Sequence, residues 1–305
     1  MKGIILVLTA ALLYGVAPSI QNIVMDMGAG PAAITACCYL ISMALSLFTA
    51  KVQKHAIRVT LKQFGMLVIC GIVGAGMTTF LLSMAYRHIP VGLATMIHFM
   101  YPCWVCLVMV LLFHEKFNCT KLGALLCMLG GLMLLGGSMG KISVLGVAFA
   151  AASSVTYCLF VICNEKSCIV DLPTCVKTFW IGLLISIAFM IFSMVNQVPF
   201  PSTVSMWGGT VLAAVMVWAA MYTLVAGISR IGATKASFFC IAEPVTSVVV
   251  SSLIFSYTLG IQEILGSVLM VCAMIFNALG KSSGSTIDDP AAGVANTVSK
   301  GEQSS

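Results

Sequence analysis

The chain has 305 residues, 60% hydrophobic and 8% charged, with a mean hydropathy of +1.10. A soluble domain carries roughly 25% charged residues, so this composition excludes a water-soluble surface and selects an integral membrane protein. The net charge of +6 is no nucleic-acid signal, because the basic residues form no patch interleaved with aromatics.

Met1-Lys2 and the apolar run behind them have the look of a signal peptide. The run continues through Met25 without a clean small-x-small cleavage site and reads as a first spanning helix. Ten apolar segments follow from the pattern, each about the ~20 residues that a span requires. They are expected near 3–25, 31–50, 64–86, 91–113, 120–138, 143–163, 173–195, 206–228, 233–256 and 260–280. The connections are short and marked by Gly28-Ala29-Gly30-Pro31, Ile89-Pro90, Gly136 to Lys141 and Pro199-Phe200-Pro201-Ser202. From Ser282 onward the composition turns to Ser, Gly, Asp, Asn and Pro, which cannot bury a core, so 281–305 is expected to be a disordered tail.

Lys and Arg set the orientation. With ten spans both termini share a side, which collects Lys2, Lys51, Lys54, Arg58, Lys62, Lys116, Lys121, Lys166, Lys177, Arg230, Lys235, Lys281 and Lys300. Only Arg87 and Lys141 fall on the other side. Both termini are therefore expected in the cytoplasm, with the chain multi-pass in the cell membrane.

The chain also repeats itself. Aligning Pro102 with Pro244 aligns Ile89 with Ile231, Ala94 with Ala236, Leu111 with Leu253 and Phe113 with Phe255. Gly3 and Tyr14 have the same spacing as Gly146 and Tyr157, and Leu122-Gly123 matches Leu265-Gly266. Three anchors in one order argue for an internal duplication. The expected organisation is all-α: a first five-helix repeat at 1–139 and a second at 140–280. Five is odd, so the two repeats are inverted relative to each other, a signature of secondary transporters with interrupted helices near the midplane.

Glu243 carries the strongest functional signal. It lies ten residues beyond Ala233, or ~15 Å at ~1.5 Å per residue, about half of a ~30 Å hydrocarbon core. A carboxylate there is a functional-site candidate by default. Its plain reading is a hydrogen-bonded structural carboxyl at a kink; its functional reading is a substrate contact or proton carrier. Pro244 and Pro102 each break a helix, which is tolerated at membrane depth where the freed carbonyl meets protein or a water-lined cavity. His98 and Tyr101 are three apart and share a face beside Pro102. His98 is a second proton-handling candidate, against the plain reading of a histidine satisfied by a neighbour. Tyr14, with Gln21 and Asn22, and Tyr157, with Asn164, give the two opening helices polar faces that belong inside the bundle. Trp218 and Tyr222 could stack on a ligand or simply pack.

Other features have plainer readings. Lys235 snorkels to the interface, the alternative being an anion contact for a carboxylate or phosphate, and Gly71, Gly74, Gly76, Gly130 and Gly131 suit close helix approach. Arg87 and His88 belong to a solvated loop. Asn118-Cys119-Thr120 fits a glycosylation pattern on the wrong side for modification. The thirteen cysteines are scattered through apolar runs as small hydrophobes. Cys103 and Cys106 form a lone CxxC with no second pair, so neither a metal nor a cofactor is expected.

The Gly-led openings ending in Tyr14 and Tyr157, the stretch from Gly232-Ala233-Thr234-Lys235-Ala236-Ser237 to Glu243-Pro244, the pattern Gln262-Glu263-Ile264-Leu265-Gly266 and its first-half counterpart at His114-Glu115 and Leu122-Gly123 resemble the EamA-type branch of the drug/metabolite transporter superfamily. The resemblance covers roughly residues 3 to 280. It implies ten helices around a central cavity, alternating access and transport of small metabolites, often export. Tyr257 stands where the family commonly has an acidic residue, with Glu263 a few residues on.

The reading is a secondary transporter, more exporter than importer, of a small polar metabolite such as an amino acid or related organic compound. Proton coupling through Glu243 or His98 is compatible with it. Tyr14, His98, Tyr101, Tyr157, Trp218, Tyr222 and Glu243 are the candidate substrate contacts. The bilayer and a small-molecule substrate are the expected partners, without nucleic acid, and a homodimer is compatible. No GxxxxGK[ST] cradle is present to hydrolyse ATP. A receptor or assembly subunit that binds without transporting is the alternative, and an enzyme is not expected, because no acid, base and nucleophile recur at helical spacing.

Overall fold

The computed structural model describes residues 1–89, 91–135, 143–255 and 260–279. Pro90, the loop from Gly136 to Lys141 with the expected repeat boundary inside it, Tyr257, Lys281, Lys300 and the tail lie outside the described residues, as does the side chain of Glu263.

The described residues are helical throughout. α1 (Lys2–Asp26) and α2 (Pro31–Val52) are joined by a glycine turn, with Pro31 at the first position of α2, where its missing N–H costs nothing. α3 (Leu61–Val68) starts at a capping box in which the Thr60 side chain and Gln63 satisfy each other's backbone N–H groups. It runs on through a π-helical stretch, Ile69–Gly76, into α4 (Met77–Ala85). Then come α5 (Val91–His98), α6 (Tyr101–Leu111), α7 (Cys119–Leu135), α8 (Val144–Lys166), α9 (Thr174–Val195), α10 (Val204–Ile231), α11 (Ala233–Phe239), α12 (Ala242–Phe255) and α13 (Ile261–Leu279).

Among the described residues eight helical units are long and apolar enough to cross a membrane, counting α3–α4, α5–α6 and α11–α12 as one unit each. Two shorter apolar helices, Cys119–Leu134 and Ile264–Ala278, lie within α7 and α13. Outward faces carry large apolar side chains such as Leu12, Phe48, Leu107, Leu126, Ile191 and Leu212. In water that surface would be an aggregation site; in lipid it is the solvent-facing side.

The packing has an internal correspondence. α1 lies against α10 and α12, and α8 lies against α4, α5 and α6. α2 pairs with α9, and α7 with α13. Close approach depends on paired glycines. A Cβ on Gly3 would meet Ile231 Cγ2 at 2.5 Å, and one on Gly146 would meet Ile89 Cγ2 at 2.7 Å. The two pairs are the ones that the sequence alignment matches. Since α1 starts beside the end of α10, and α8 ends beside the start of α11, α1 begins and α8 ends at the same end of the bundle.

The π stretch was not expected from the pattern. Its physical setting is a glycine-rich run, Ile69-Cys70-Gly71-Ile72-Val73-Gly74-Ala75-Gly76, pressed against α8 and α9. A Cβ on Gly74 would lie 3.0–3.3 Å from Phe160, two of those contacts being backbone, and one on Gly71 would sit 3.4 Å from the Ile181 Cα. Removing side chains lets the helices touch, and widened turns at such places are frequent at functional sites. Asn118 takes a local role: its Oδ1 accepts from the Lys121 N–H at 2.9 Å, capping the start of α7.

Candidate functional site

Both proline-marked spans are broken. Pro102 sits at the second position of α6, and Phe99-Met100 separate that helix from α5. Pro244 is the third residue of α12, and Cys240-Ile241 separate it from α11. The Cys240 carbonyl, deprived of a partner by Pro244, accepts from the Glu243 N–H at 2.9 Å. Hydrogen bonding thus turns the backbone at the break and presents Glu243 from the first turn of α12.

A cavity of about 480 Å³ reaches this point. Its deep wall includes Tyr14, His98, Tyr157, Phe160, Met221 and Glu243. Its other end is bordered by Gln21, Asn22, Met25, Pro31, Tyr86 and Arg87, all at the end of the bundle opposite Lys2. The volume lies within the range of small-molecule sites, ~300–1,000 Å³. Arg87 is exposed at the rim and Glu243 is half-buried in the depth. Among the described residues the Glu243 carboxylate enters no ion pair or side-chain hydrogen bond.

A polar and aromatic seam supports the wall. His98 Nδ1 lies 3.1 Å from Ser153 Oγ, and Ser153 Oγ also donates to the Ala150 carbonyl at 2.7 Å. Thr78 and Thr156 hydroxyls are 2.7 Å apart, tying α4 to α8. The Tyr157 ring stands edge-on to Tyr101 at 4.6 Å and 5.4 Å from His98. Such edge contacts fix ring orientation.

Below the cavity the bundle is closed. Tyr101 is buried and donates to the Ser237 carbonyl at 3.4 Å, with Phe238 buried beside it. At the Lys2 end, the Glu165 carboxylate accepts from the Ala233 N–H, and it also pairs with Lys166 at 2.9 Å. Glu115 accepts from Thr234 Oγ1 at 2.6 Å and pairs with Lys121 at 2.7 Å. Gly232 makes the α10–α11 junction at φ 82°, a left-handed value that a side chain would strain, with the Glu165 carboxylate 3.4–3.6 Å from where its Cβ would be. Two acidic residues thus hold the start of α11 shut against α6, α7 and α8.

Of the residues singled out from the sequence, the structure brings Tyr14, His98, Tyr157 and Glu243 to one cavity. Tyr101 stands behind them as part of the floor. Trp218 and Tyr222 lie elsewhere: their rings are 5.9 Å apart, and the Tyr222 hydroxyl accepts from Gln53 Nε2 at 3.2 Å. Arg87, read as a solvated loop residue, borders the cavity, as do Tyr39, Thr79 and Ser83, which the sequence did not single out. Pro18, inside α1, also lines it. The signal available for Tyr39 and Tyr86 was only that each is a polar aromatic in or next to an apolar run.

One solved structure, titled "Crystal structure of protein", superposes with a TM-score of 0.78 at 20% sequence identity, covering 92% of this chain and 98% of that chain, so the fold is shared. No curated protein matches the chain. The family model described as the EamA-like transporter family matches twice, over residues 1–137 and 141–279. With matches across nearly all of the described helices, this multi-pass membrane chain belongs to the EamA-like transporter family, within the drug/metabolite transporter superfamily.

Proposed function

We propose that the protein is a secondary transporter that exports a small polar metabolite, such as an amino acid or related organic compound, by alternating access. Two inverted five-helix repeats make ten spans, both termini face the cytoplasm, and the protein works in the cell membrane. The observation that carries this reading is the cavity of about 480 Å³ that ends on two broken helices and a half-buried carboxylate, closed at the Lys2 end by Glu165 and Glu115. A site reachable from one end and sealed at the other is one of the two states that alternating access needs.

In this scheme Tyr14, His98, Tyr157 and Glu243 touch the cargo. Breaking the Glu165 and Glu115 contacts opens the cytoplasmic side while the α1, α2 and α4 ends close over the cavity. Glu243, with His98 in the same cavity wall, exchanges a proton as cargo leaves. The basic residues concentrated toward Lys2, including Lys51, Lys54, Arg58 and Lys62, support cytoplasmic placement of that end.

The test is flux in vesicles reconstituted with purified protein and loaded with a defined metabolite mixture. Net movement of at least one component, lost in Glu243→Gln, is expected. Binding of a component with no movement of any would contradict transport and favour a receptor.

A further inference from the structure

Resting on the transport reading above, we infer that the cavity selects a protonated amine with an aromatic or apolar body, its ammonium held by Glu243 among tyrosine rings. Three observations carry this. First, the charge arrangement is one-sided: Glu243 is the charged residue of the deep wall, while Arg87 is exposed at the rim. Among the described residues that carboxylate has no partner in the protein. A half-buried carboxylate with no protein partner takes up a proton or a cation, because leaving it charged and alone is costly, and a cationic cargo can take the proton's place.

Second, the surroundings favour an organic cation over a metal ion. Tyr14, Tyr39, Tyr86, Tyr157 and Phe160 present aromatic surface to the same space. Ring faces attract ammonium groups and give a desolvated organic cation the contact that water would otherwise supply. Among the described residues no group of three His, Cys, Asp or Glu is placed to hold a metal.

Third, hydrogen-bonding capacity near the carboxylate is unused. Among the described residues the hydroxyls of Tyr14 and Tyr157 have no hydrogen-bond partner, whereas His98 Nδ1 is already engaged by Ser153. A tyrosine hydroxyl oxygen can accept from an ammonium, adding to the stronger charge-assisted bond of the carboxylate. Among the described residues the cationic side chain that lines the cavity is Arg87, at the rim, and no arginine or lysine lines the deep wall with Tyr14 and Tyr157. An anion would therefore meet Glu243 with like charge, and within the class of amino acids and related compounds this narrows the cargo to the amine, since an amino acid's acid group would stand beside the same carboxylate.

The experiment is isothermal titration of the purified full chain with four probes that share a phenyl ring and differ in charge: phenethylamine, 2-phenylethanol, hydrocinnamate and phenylalanine. Phenethylamine should bind about tenfold or more tightly than each of the others, in keeping with cation–π and charge-pair energies. Glu243→Gln should remove that preference, and Glu243→Asp, which keeps the charge, should retain it. Should Glu243→Gln not fold, the ranking on the unaltered protein decides alone. Hydrocinnamate, phenylalanine or 2-phenylethanol binding as well as the amine, absence of binding by all four, or an undiminished preference in Glu243→Gln would overturn the proposal. The titration does not read movement, so amine binding without vesicle flux contradicts transport only. Vesicles that move phenylalanine but not phenethylamine contradict the amine preference only.

Discussion

Replacing Glu165 by alanine should loosen the closed end of the bundle while leaving the cavity intact. The Glu165 carboxylate accepts from the Ala233 N–H at the start of α11. A hydrogen bond to a charged group contributes about 1.5–3 kcal/mol. The pairing with Lys166 is partly exposed, at 33% and 20% side-chain exposure, and adds little. Losing the hydrogen bond should shift the opening equilibrium of this end by about 10- to 150-fold, since each ~1.4 kcal/mol is a factor of ten. Hydrogen exchange reads it. The amides of Ala236 and Cys240, bonded to the Gly232 and Ala236 carbonyls at 3.0 Å each, should exchange faster by that factor. Amides in α9, which Glu165 does not touch, should keep their rates. Unchanged exchange in α11, or equal acceleration in α9, would refute the idea that Glu165 holds the Lys2 end shut.

Further outcomes follow from the same geometry. Glu115→Gln, which weakens the contact to Thr234 and the pair with Lys121, should accelerate exchange in α11 in the same direction, and an unaltered α11 would argue against a shared closure. Gly15→Ala would put a methyl 2.7 Å from Thr246 Cβ and 2.9 Å from the Glu243 carbonyl. Overpacking of this kind costs about 1–3 kcal/mol, so detergent-solubilised protein should melt at a lower temperature, and an unchanged melting curve would mean that α1 and α12 are not in this contact. Gly3→Val and Gly146→Val, which load corresponding contacts with Ile231 and Ile89, should destabilise to a similar extent; a large effect in one and none in the other would break the correspondence. Trp218→Phe, outside the cavity wall, should leave cargo affinity unaltered in titration, whereas Tyr157→Phe, which removes a hydroxyl at the wall, should weaken it.

The features legible in the sequence were those whose physics is local. Proline removes a helix hydrogen bond, so Pro102 and Pro244 marked the two interruptions without any tertiary information, although Pro18 sits inside an unbroken α1. The repeat alignment matched Gly3 with Gly146 and Ile89 with Ile231, but that each glycine packs on the isoleucine of the other repeat is seen only in the structure. The wall of the cavity was harder. On a surface helix, polar and apolar faces separate; in lipid every outward face is apolar, and which of Tyr14, Tyr39 or Tyr222 turns inward is decided by neighbours distant in the chain. Tyr222 and Tyr14 look alike in sequence, yet one meets Gln53 and the other the cavity. The cavity's reach to Arg87 depends on the end of α4 and the last turns of α1 bordering one space, which spacing cannot show. The π stretch needed the contact of Gly74 with Phe160 to explain it.

The most direct measurement places single cysteines at Gln21, on the cavity rim, and at Ser237, in the buried floor near the Lys2 end, with the thirteen native cysteines replaced. Thiol reactivity is then followed in reconstituted protein during transport. Reciprocal behaviour is predicted: the Gln21 site becomes protected under conditions that render the Ser237 site reactive, and the reverse. A Gln21 site equally reactive throughout, with a Ser237 site that never reacts, would contradict alternating access at this cavity.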